Sequence, residues 1–334
     1  MSASSPRKQE LPIYDTHART QRNSDQNSVN SHRSSFRPLP NPRSDQHPNK
    51  GHRRGIIAEN FNRKAIKCHF VAASGEFIGT MMFLYFGFAT HIMSILEVKP
   101  GEGVTPQTVV FVSLGYGFSL LVTVWVWYRI SGGLFNPAVT LGLILSGCLP
   151  PVRGLILFPA QILGAIAAAG LVEGMFPGPI SLVNTTLRTG TSITQGLFIE
   201  MFLTCLLIIT VLMLAAEKSK DTFIAPVGIG LALFVAEIAG LFPLSYFPIS
   251  SAIFRMLTYE RLGVFYTGGS LNPARSFGPA VVSGVFPTYH WIYWVGPGMA
   301  GVLTTGYFRL VKALNYEEAN PGQDSAGGDL GHNT

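Results

Sequence analysis

The chain has 334 residues, of which 47% are hydrophobic and only 13% carry a charge. Together with a positive mean hydropathy, this composition excludes an ordinary soluble domain and indicates a protein whose solvent is the lipid bilayer. The net charge of +6 comes from the chain ends and short polar segments, so it does not form a surface for nucleic acid.

The first segment of the chain is polar. Residues 1–68 are rich in Ser, Asn, Arg, Pro and His and poor in large apolar residues, so they bury too little surface to offset the entropy of an ordered chain. We predict disordered cytosolic tails over residues 1–68 and 314–334, on either side of a membrane-embedded domain over residues 69–313.

Apolar stretches of about 20 residues recur from Phe70 onwards, and each is long enough to cross a hydrocarbon core of about 30 Å. Six spans are predicted, at about 70–96, 107–129, 153–175, 194–216, 223–241 and 289–312.

Basic residues set the orientation of these spans, because Lys and Arg remain on the cytosolic side. If both termini are cytosolic, the outer connections hold only Lys99 and Arg188. The cytosolic side then holds Arg53, Arg54, Arg63, Lys64, Lys67, Arg129, Arg153, Lys218, Lys220, Arg309 and Lys312. This predicts an integral membrane protein, which we place in the plasma membrane, with both termini in the cytosol.

One outer connection carries the triplet Asn184-Thr185-Thr186, which matches the N-glycosylation signal. Such triplets also arise by chance, so the sequence leaves the use of Asn184 open.

The spans form an internal repeat. Glu76 lies in the segment 75–80 of the first span, and Glu200 lies in the similar segment 198–204 of the fourth. Three spans per unit is an odd number, so the second unit, about 194–312, enters the membrane with the opposite orientation to the first, about 70–175. We predict an all-α membrane protein of six transmembrane helices in an inverted repeat, with a pore between the halves.

Each half also carries an Asn-Pro-Ala box after its second span, at Asn136-Pro137-Ala138 and at Asn272-Pro273-Ala274. Asn is a favoured helix N-cap and Pro a favoured first helical residue, so each box predicts the start of a short helix. Helices too short to span the membrane are expected to be re-entrant half-helices that line a wet cavity. In an inverted repeat their N-termini meet at the midplane, where the helix dipoles oppose a cation and the two Asn amides donate to a passing water.

Residues about 70–312 thereby resemble the aquaporin (major intrinsic protein) family, and in particular its orthodox fungal-type water channels. The two boxes, the glutamates of spans one and four, and the run from Asn272 to Ala280 carry the resemblance. It implies six tilted helices plus two half-helices per protomer, and a homotetramer with one pore in each subunit. It further implies a passive channel for water and small neutral solutes, surrounded by membrane lipid, that is not an enzyme.

The resemblance also assigns roles to single residues. Arg275 matches the arginine of the outer aromatic/arginine filter, and Tyr116, twenty residues before Asn136, matches the filter aromatic of span two. Gly269 matches a filter position that is cysteine in mercury-sensitive members. Glu76 and Glu200 match buried glutamates that brace the re-entrant loops.

Selectivity is predicted from the residues around the second box. Glycerol-conducting members usually have Asp directly after the Asn-Pro-Ala-Arg run, whereas this chain has Ser276, then Ala280 and the pair Tyr293-Trp294. This pattern favours water. Gly269 is small, however, and the filter histidine of span five is missing, so a broader channel for glycerol or hydrogen peroxide remains the alternative.

A segment of 23 residues, from Leu241 to Gly263, has no counterpart in the family pattern. It is either a true extension at the outer surface or a retained intron translated in frame, and as an insertion it offers a route to a non-conducting variant. The filter position of span five, six residues before Tyr266, falls on Glu260 with the segment counted and on Glu237 with it omitted. A carboxylate at either place would partly neutralise the field of Arg275.

Other classes of function are less well supported. A secondary transporter shares the inverted repeat, but the spans show no cluster of Asp, Lys or His for a coupling ion. A non-conducting adhesion or regulatory protein is supported only by the unusual segment. Cys68, Cys148 and Cys205 are too widely separated for a disulfide framework or metal site, and we expect no metal and no cofactor.

Overall fold

A computed structural model describes residues 63–98, 104–241 and 266–321, and this part of the chain is built from helices without strands. The long helices are α1 (Arg63–Leu96), α2 (Pro106–Trp127), α4 (Pro151–Met175), α5 (Ile193–Val211), α6 (Ala225–Leu241) and α8 (Ile292–Ala313). The short ones are α3 (Pro137–Ser146), α7 (Pro273–Ser283) and α9 (Tyr316–Ala319). A π-helical turn, Leu212–Ala216, continues α5, and 3₁₀ turns lie at Ile180–Val183 and Lys220–Ile224.

Five helices are long and apolar enough to cross a membrane: α1, α2, α4, α5 with its π-helical turn, and α6 with the turn that precedes it. Helix α8 has 22 residues and is long enough to do the same, but Gly, Thr and Tyr residues lower its hydropathy. Many large apolar side chains are exposed on these helices, such as Phe111, Leu155 and Phe202. A lipid-facing surface accounts for that exposure, whereas water does not.

Helix packing follows the inverted repeat. Helix α1 packs on α2 and α4, and α5 packs in the same way on α6 and α8. The halves join through α2 against α6, and each half-helix packs on the last long helix of the other half, α3 on α8 and α7 on α4. The predicted fold of six long helices and two half-helices is confirmed.

Close packing of α2 and α6 depends on two glycines. A Cβ atom on Gly230 would lie 2.6 Å from the carbonyl oxygen of Gly117, and one on Gly117 would lie 2.9 Å from the carbonyl oxygen of Gly230. These distances are too short for any side chain, so the two halves meet backbone to backbone at this crossing.

The half-helices begin and end as their sequences predict. Asn136 and Asn272 cap α3 and α7 in extended conformations, and each side chain accepts from the backbone N–H two residues later, at Ala138 and Ala274. Both helices end at a glycine in the left-handed region, Gly147 and Gly284, the conformation that glycine adopts most easily.

Several of the predicted cytosolic basic residues lie together at one end of the bundle. Arg153 Nη1 donates to the carbonyl oxygen of Cys68 at 3.0 Å, linking the starts of α4 and α1. At the same end Lys218 donates to the hydroxyl of Tyr128, and Lys312 pairs with Glu217 at 2.8 Å.

Two tail boundaries differ from the prediction. Helix α1 begins at Arg63, so residues 63–68 extend the first span instead of belonging to the tail, and α9 lies within the stretch 314–334. Polar residues of a helix end continue the backbone hydrogen bonds of the apolar span, which composition alone does not reveal. Of the unusual segment only Leu241 is described, and Glu260 lies outside the described residues.

Candidate functional site

The two Asn-Pro-Ala boxes meet in the centre of the bundle. Asn136 Nδ2 donates to the carbonyl oxygen of Leu271 at 2.8 Å, and Asn272 Nδ2 donates to that of Phe135 at 2.9 Å. Each side-chain amide therefore caps its own half-helix and holds the opposite loop. We call this pair of residues, Asn136 and Asn272, the Asn junction.

The residue before each Asn has a backbone conformation that is unusual outside glycine. Phe135 and Leu271 both have φ of 52°, a left-handed value that costs free energy for a bulky side chain. Both are fully buried. The same conformation at equivalent positions turns each chain sharply, so that its Asn faces the other half.

Glu76 holds the first of these turns. Its Oε1 accepts from Ser131 Oγ at 2.6 Å and from the N–H of Leu134 at 3.0 Å. Its Oε2 accepts from the N–H of Phe135 and from Gln161 Nε2, both at 2.8 Å. Four donors thus converge on one fully buried carboxylate.

Glu200 holds the second turn in the same way. Its Oε1 accepts from the N–H of Ser270 at 2.9 Å, and its Oε2 accepts from that of Leu271 at 2.8 Å. The equivalent placement of Glu76 and Glu200 relates the two halves at the level of single hydrogen bonds.

Arg275 is buried in the first turn of α7, on the side of the Asn junction away from the basic end. Its Nη1 donates to the carbonyl oxygen of Val183 at 2.6 Å, and its Nη2 donates to the hydroxyl of Tyr116 at 2.9 Å. The guanidinium carbon also lies 4.9 Å from the centre of the Tyr116 ring and 5.7 Å from that of Phe88. These contacts fix the cation against the wall of the bundle.

Glu237 of α6 approaches the same place. Its carboxylate lies so close to Gly269 that a Cβ atom there would collide with Oε2. Glu237 is also within electrostatic range of Arg275. The structure brings Glu237, one of the two alternatives for span five, to Gly269 and Arg275, and the other alternative, Glu260, lies outside the described residues. We call Tyr116, Glu237, Gly269 and Arg275 the Arg275 cluster.

Sequence analysis missed two contributors to this cluster. His91 Nδ1 lies 3.2 Å from the Tyr116 hydroxyl. A lone histidine inside an apolar span is the sequence signal by which it could have been found. The Val183 carbonyl that accepts from Arg275 carries no side-chain signal, so only the folded chain reveals it.

Asn184 directly follows Val183, whose carbonyl accepts from Arg275. Its Nδ2 donates to Ser283 Oγ at 3.0 Å, and the buried hydroxyl of Thr185 donates to Ser276 at 2.9 Å. In the folded protein the triplet packs against α7, and this packing disfavours glycosylation of Asn184, whose use the sequence leaves open.

Within the described ranges, His, Cys, Asp and Glu do not assemble into a group of three that holds a metal ion. The three cysteines are all free thiols.

Comparison with known proteins places these features in one family. The chain matches the pattern of the major intrinsic proteins over residues 64–252 and 243–308. The pattern is matched in two pieces, and they meet inside the unusual segment that begins at Leu241.

Two fungal relatives illustrate the similarity. The chain is 58% identical over 260 residues to a probable aquaporin-3 of Gibberella zeae, covering 77% of this chain and 83% of that one. It is 52% identical over 263 residues to aquaporin-7 of Botryotinia fuckeliana, covering 77% of this chain but only 53% of the relative.

Among solved structures, the fold is similar to the X-ray structure of the aquaglyceroporin from Plasmodium falciparum, with a TM-score of 0.59. The two chains share 20% identity, and the match covers 75% of this chain and 99% of the other. At that identity the likeness concerns the fold alone.

Proposed function

Because this chain belongs to the major intrinsic protein family, a family of channels and not of enzymes, we propose that it is a passive water channel. In this proposal the pore runs past the Asn junction and the Arg275 cluster. The observation that carries the proposal is that Asn136 donates to the Leu271 carbonyl and Asn272 donates to the Phe135 carbonyl. These two bonds bring the N-termini of the half-helices together inside the bundle.

Water passage with proton exclusion follows from the donors at the junction. An amide nitrogen has two hydrogens, and the bond to the opposite loop uses only one of them on each Asn. The second is left to donate to a water oxygen. A water molecule that accepts from both residues directs its own hydrogens away from the junction, which interrupts the chain of hydrogen bonds along which protons hop.

Cations meet a second obstacle at the junction. The N-terminus of a helix carries about half a positive charge, and α3 and α7 both begin here. Two such ends at one narrow point disfavour any cation that has lost its hydration shell.

The Arg275 cluster is proposed as the size filter. The direct bond from Arg275 to Tyr116 closes one side of the passage, which favours water over the wider glycerol molecule. Ser276 also favours selectivity for water. Its hydroxyl is hydrogen-bonded to Ser270 and Thr185 and braces the loop. The alternative is a broader channel for small neutral solutes. The sequence favoured it through the absence of a side chain at Gly269, but the Glu237 carboxylate lies in the space that such a side chain would occupy.

The remaining features of the proposal concern the assembly. We propose a homotetramer in the plasma membrane with cytosolic termini. The basic residues at one end of the bundle support the orientation of the termini. The apolar outer faces of the long helices suit either lipid or neighbouring subunits.

Stopped-flow light scattering of proteoliposomes that contain the full chain tests this function. We expect osmotic shrinkage well above that of empty liposomes and glycerol-driven swelling close to that of empty liposomes. A variant at the exposed Glu97, Glu97→Gln, is the matched control and should behave as the parent. Swelling in glycerol as fast as the osmotic response would show the broader channel instead, and no acceleration of either would contradict a conducting pore.

A further inference from the structure

An apolar groove of about 230 Å³ lies beside the Asn junction. Helices α4 and α8 form its walls, and its floor is formed by the half-helix α3 and by Pro273, the first residue of α7. Both walls pack mainly on the half-helices and not on each other. The residues that line the groove carry no charge.

The groove is continuous with the lipid-facing surface of the bundle. Leu155 and Phe158 on its α4 wall are exposed. The hydroxyl of Thr140 in the floor donates to the Asn136 carbonyl at 2.9 Å and accepts from Gln161 Nε2 at 2.9 Å, so it needs no further partner. An apolar cavity of about 150 Å³ in a soluble protein stays dry and binds benzene. We therefore expect a hydrocarbon occupant here.

The groove has room for such an occupant next to Gly298. The rings of Phe158 and Trp294, with centroids 6.2 Å apart, bridge its two walls. Gly298 lies one turn further along α8, and a Cβ atom there would meet no other atom within 4 Å. Close packing is the rule inside proteins, so this open space indicates a surface that the surrounding lipid fills.

A cation stands where the groove reaches the basic end of the bundle. Helix α3 runs from the Asn junction to its C-terminal glycine, Gly147, and a Cβ atom on Gly147 would lie 3.9 Å from Arg309 Nη2. Arg309 is exposed. Among the described residues the ion pairs join Lys312 to Glu217 and to Glu317, and Arg309 takes part in neither.

The distance along α8 matches one leaflet of the bilayer. Gly298 and Arg309 are eleven residues apart in this helix, which is about 16 Å and close to three turns, so both lie on one face. Half of a hydrocarbon core of about 30 Å is about 15 Å. A lipid whose headgroup lies at Arg309 therefore reaches Gly298 with the end of its acyl chain.

We propose that this groove binds an anionic phospholipid of the leaflet at the basic end, with one acyl chain between α4 and α8 and the headgroup at Arg309. The end of the chain contacts Pro137 and Pro273, the first residues of the two half-helices. A bound lipid thus supports the Asn junction from outside the bundle. The inference concerns the lipid-facing surface and does not depend on what passes through the pore.

Photo-crosslinking tests the site. The full chain is reconstituted in phosphatidylcholine vesicles with a small fraction of phosphatidylserine that carries a diazirine near the end of one acyl chain. After illumination, peptide mass spectrometry compares the label at Leu141, in the groove, with the label at the exposed Phe202 of α5, outside it. The same probe with a choline headgroup measures the contribution of headgroup charge.

We expect more label at Leu141 than at Phe202 in the parent protein. Gly298→Leu places a side chain in the open space without a collision and should lower the ratio of the two labels to that of an open lipid-facing surface. Gly170→Leu is the matched control and should keep the parent ratio. A Cβ atom at Gly170 on α4 also meets no atom within 4 Å, and Gly170 does not line the groove.

The headgroup is tested at Arg309. In the parent we expect the serine probe to label Leu141 about fivefold more than the choline probe does, the preference that one cation near the membrane surface gives an anionic lipid. Arg309→Gln should abolish this preference. Arg129→Gln, an exposed position just beyond the end of α2, is the matched control and should retain it.

The proposal is overturned if Leu141 is labelled no more than Phe202 in the parent, which is the result expected when a neighbouring subunit covers the groove. An unchanged ratio in Gly298→Leu also overturns it. Equal labelling by the two probes in the parent, or a serine preference that survives Arg309→Gln, contradicts the anionic headgroup at Arg309. Labelling is measured without any flux, so these failures are distinguishable from a failure of the channel function.

Discussion

Replacing Glu76 by Gln should destabilise the first re-entrant loop, although the two side chains have nearly the same size and shape. Glu76 accepts from Ser131 and Leu134 at Oε1 and from Phe135 and Gln161 at Oε2, at 2.6 to 3.0 Å. A glutamine has the same shape but offers one oxygen and one N–H₂ group. Whichever way the amide turns, its hydrogens face two donors.

The cost follows from these bonds. The better orientation directs the amide hydrogens at Ser131 and Leu134, because the Ser131 hydroxyl can rotate to accept. The N–H of Leu134 then loses its partner inside the protein, at about 1–3 kcal/mol. Glu76→Ala leaves two backbone N–H groups unsatisfied, those of Leu134 and Phe135, which doubles the expected loss to about 2–6 kcal/mol.

Thermal unfolding in detergent is the assay. With about 2–4 °C per kcal/mol for a protein of this size, we expect Tm to fall by about 2–12 °C in Glu76→Gln and further in Glu76→Ala. Glu97→Gln, at an exposed position near the end of the same helix, should stay within about 2 °C because surface changes are nearly neutral. If Glu76→Gln melted with the control, the carboxylate would not brace the loop and the reasoning would be refuted.

Two further predictions concern the outer side of the pore. Mercurials should leave water flux unchanged, because Gly269 offers no thiol and Cys205 lies on α5, outside the Arg275 cluster. Rapid block of water flux that persists in Cys148→Ser and Cys205→Ser would contradict this prediction. Deletion of residues 241–263 should raise water permeability per folded protein, because the apolar segment stands directly before the loop that carries Gly269 and extra loop length costs little free energy. Equal permeability of the two forms at matched reconstitution density would show that the segment is a harmless outer loop.

Local rules were sufficient for most of the fold. Span length and the capping preferences of Asn and Pro act within one helix or one turn, and they predicted the long helices and both half-helices. The inverted repeat was predicted from the odd number of spans in each repeat, which is a property of the whole chain. The ends were less well predicted: residues 63–68 are helical although their composition resembles a tail, because backbone hydrogen bonds propagate past the apolar stretch.

The contacts within the site were decided by the tertiary structure. Sequence spacing left Glu237 and Glu260 as alternatives, and only the approach of α6 to Gly269 brought Glu237 to Arg275. Arg275 and Tyr116 are separated by 159 residues, and the Val183 carbonyl that completes the support is a backbone atom that any residue would supply. The sequence by itself determined which helices form and where the half-helices begin, because those preferences are local. Which side chains meet at the constriction depends on how distant helices pack, and no local preference encodes that.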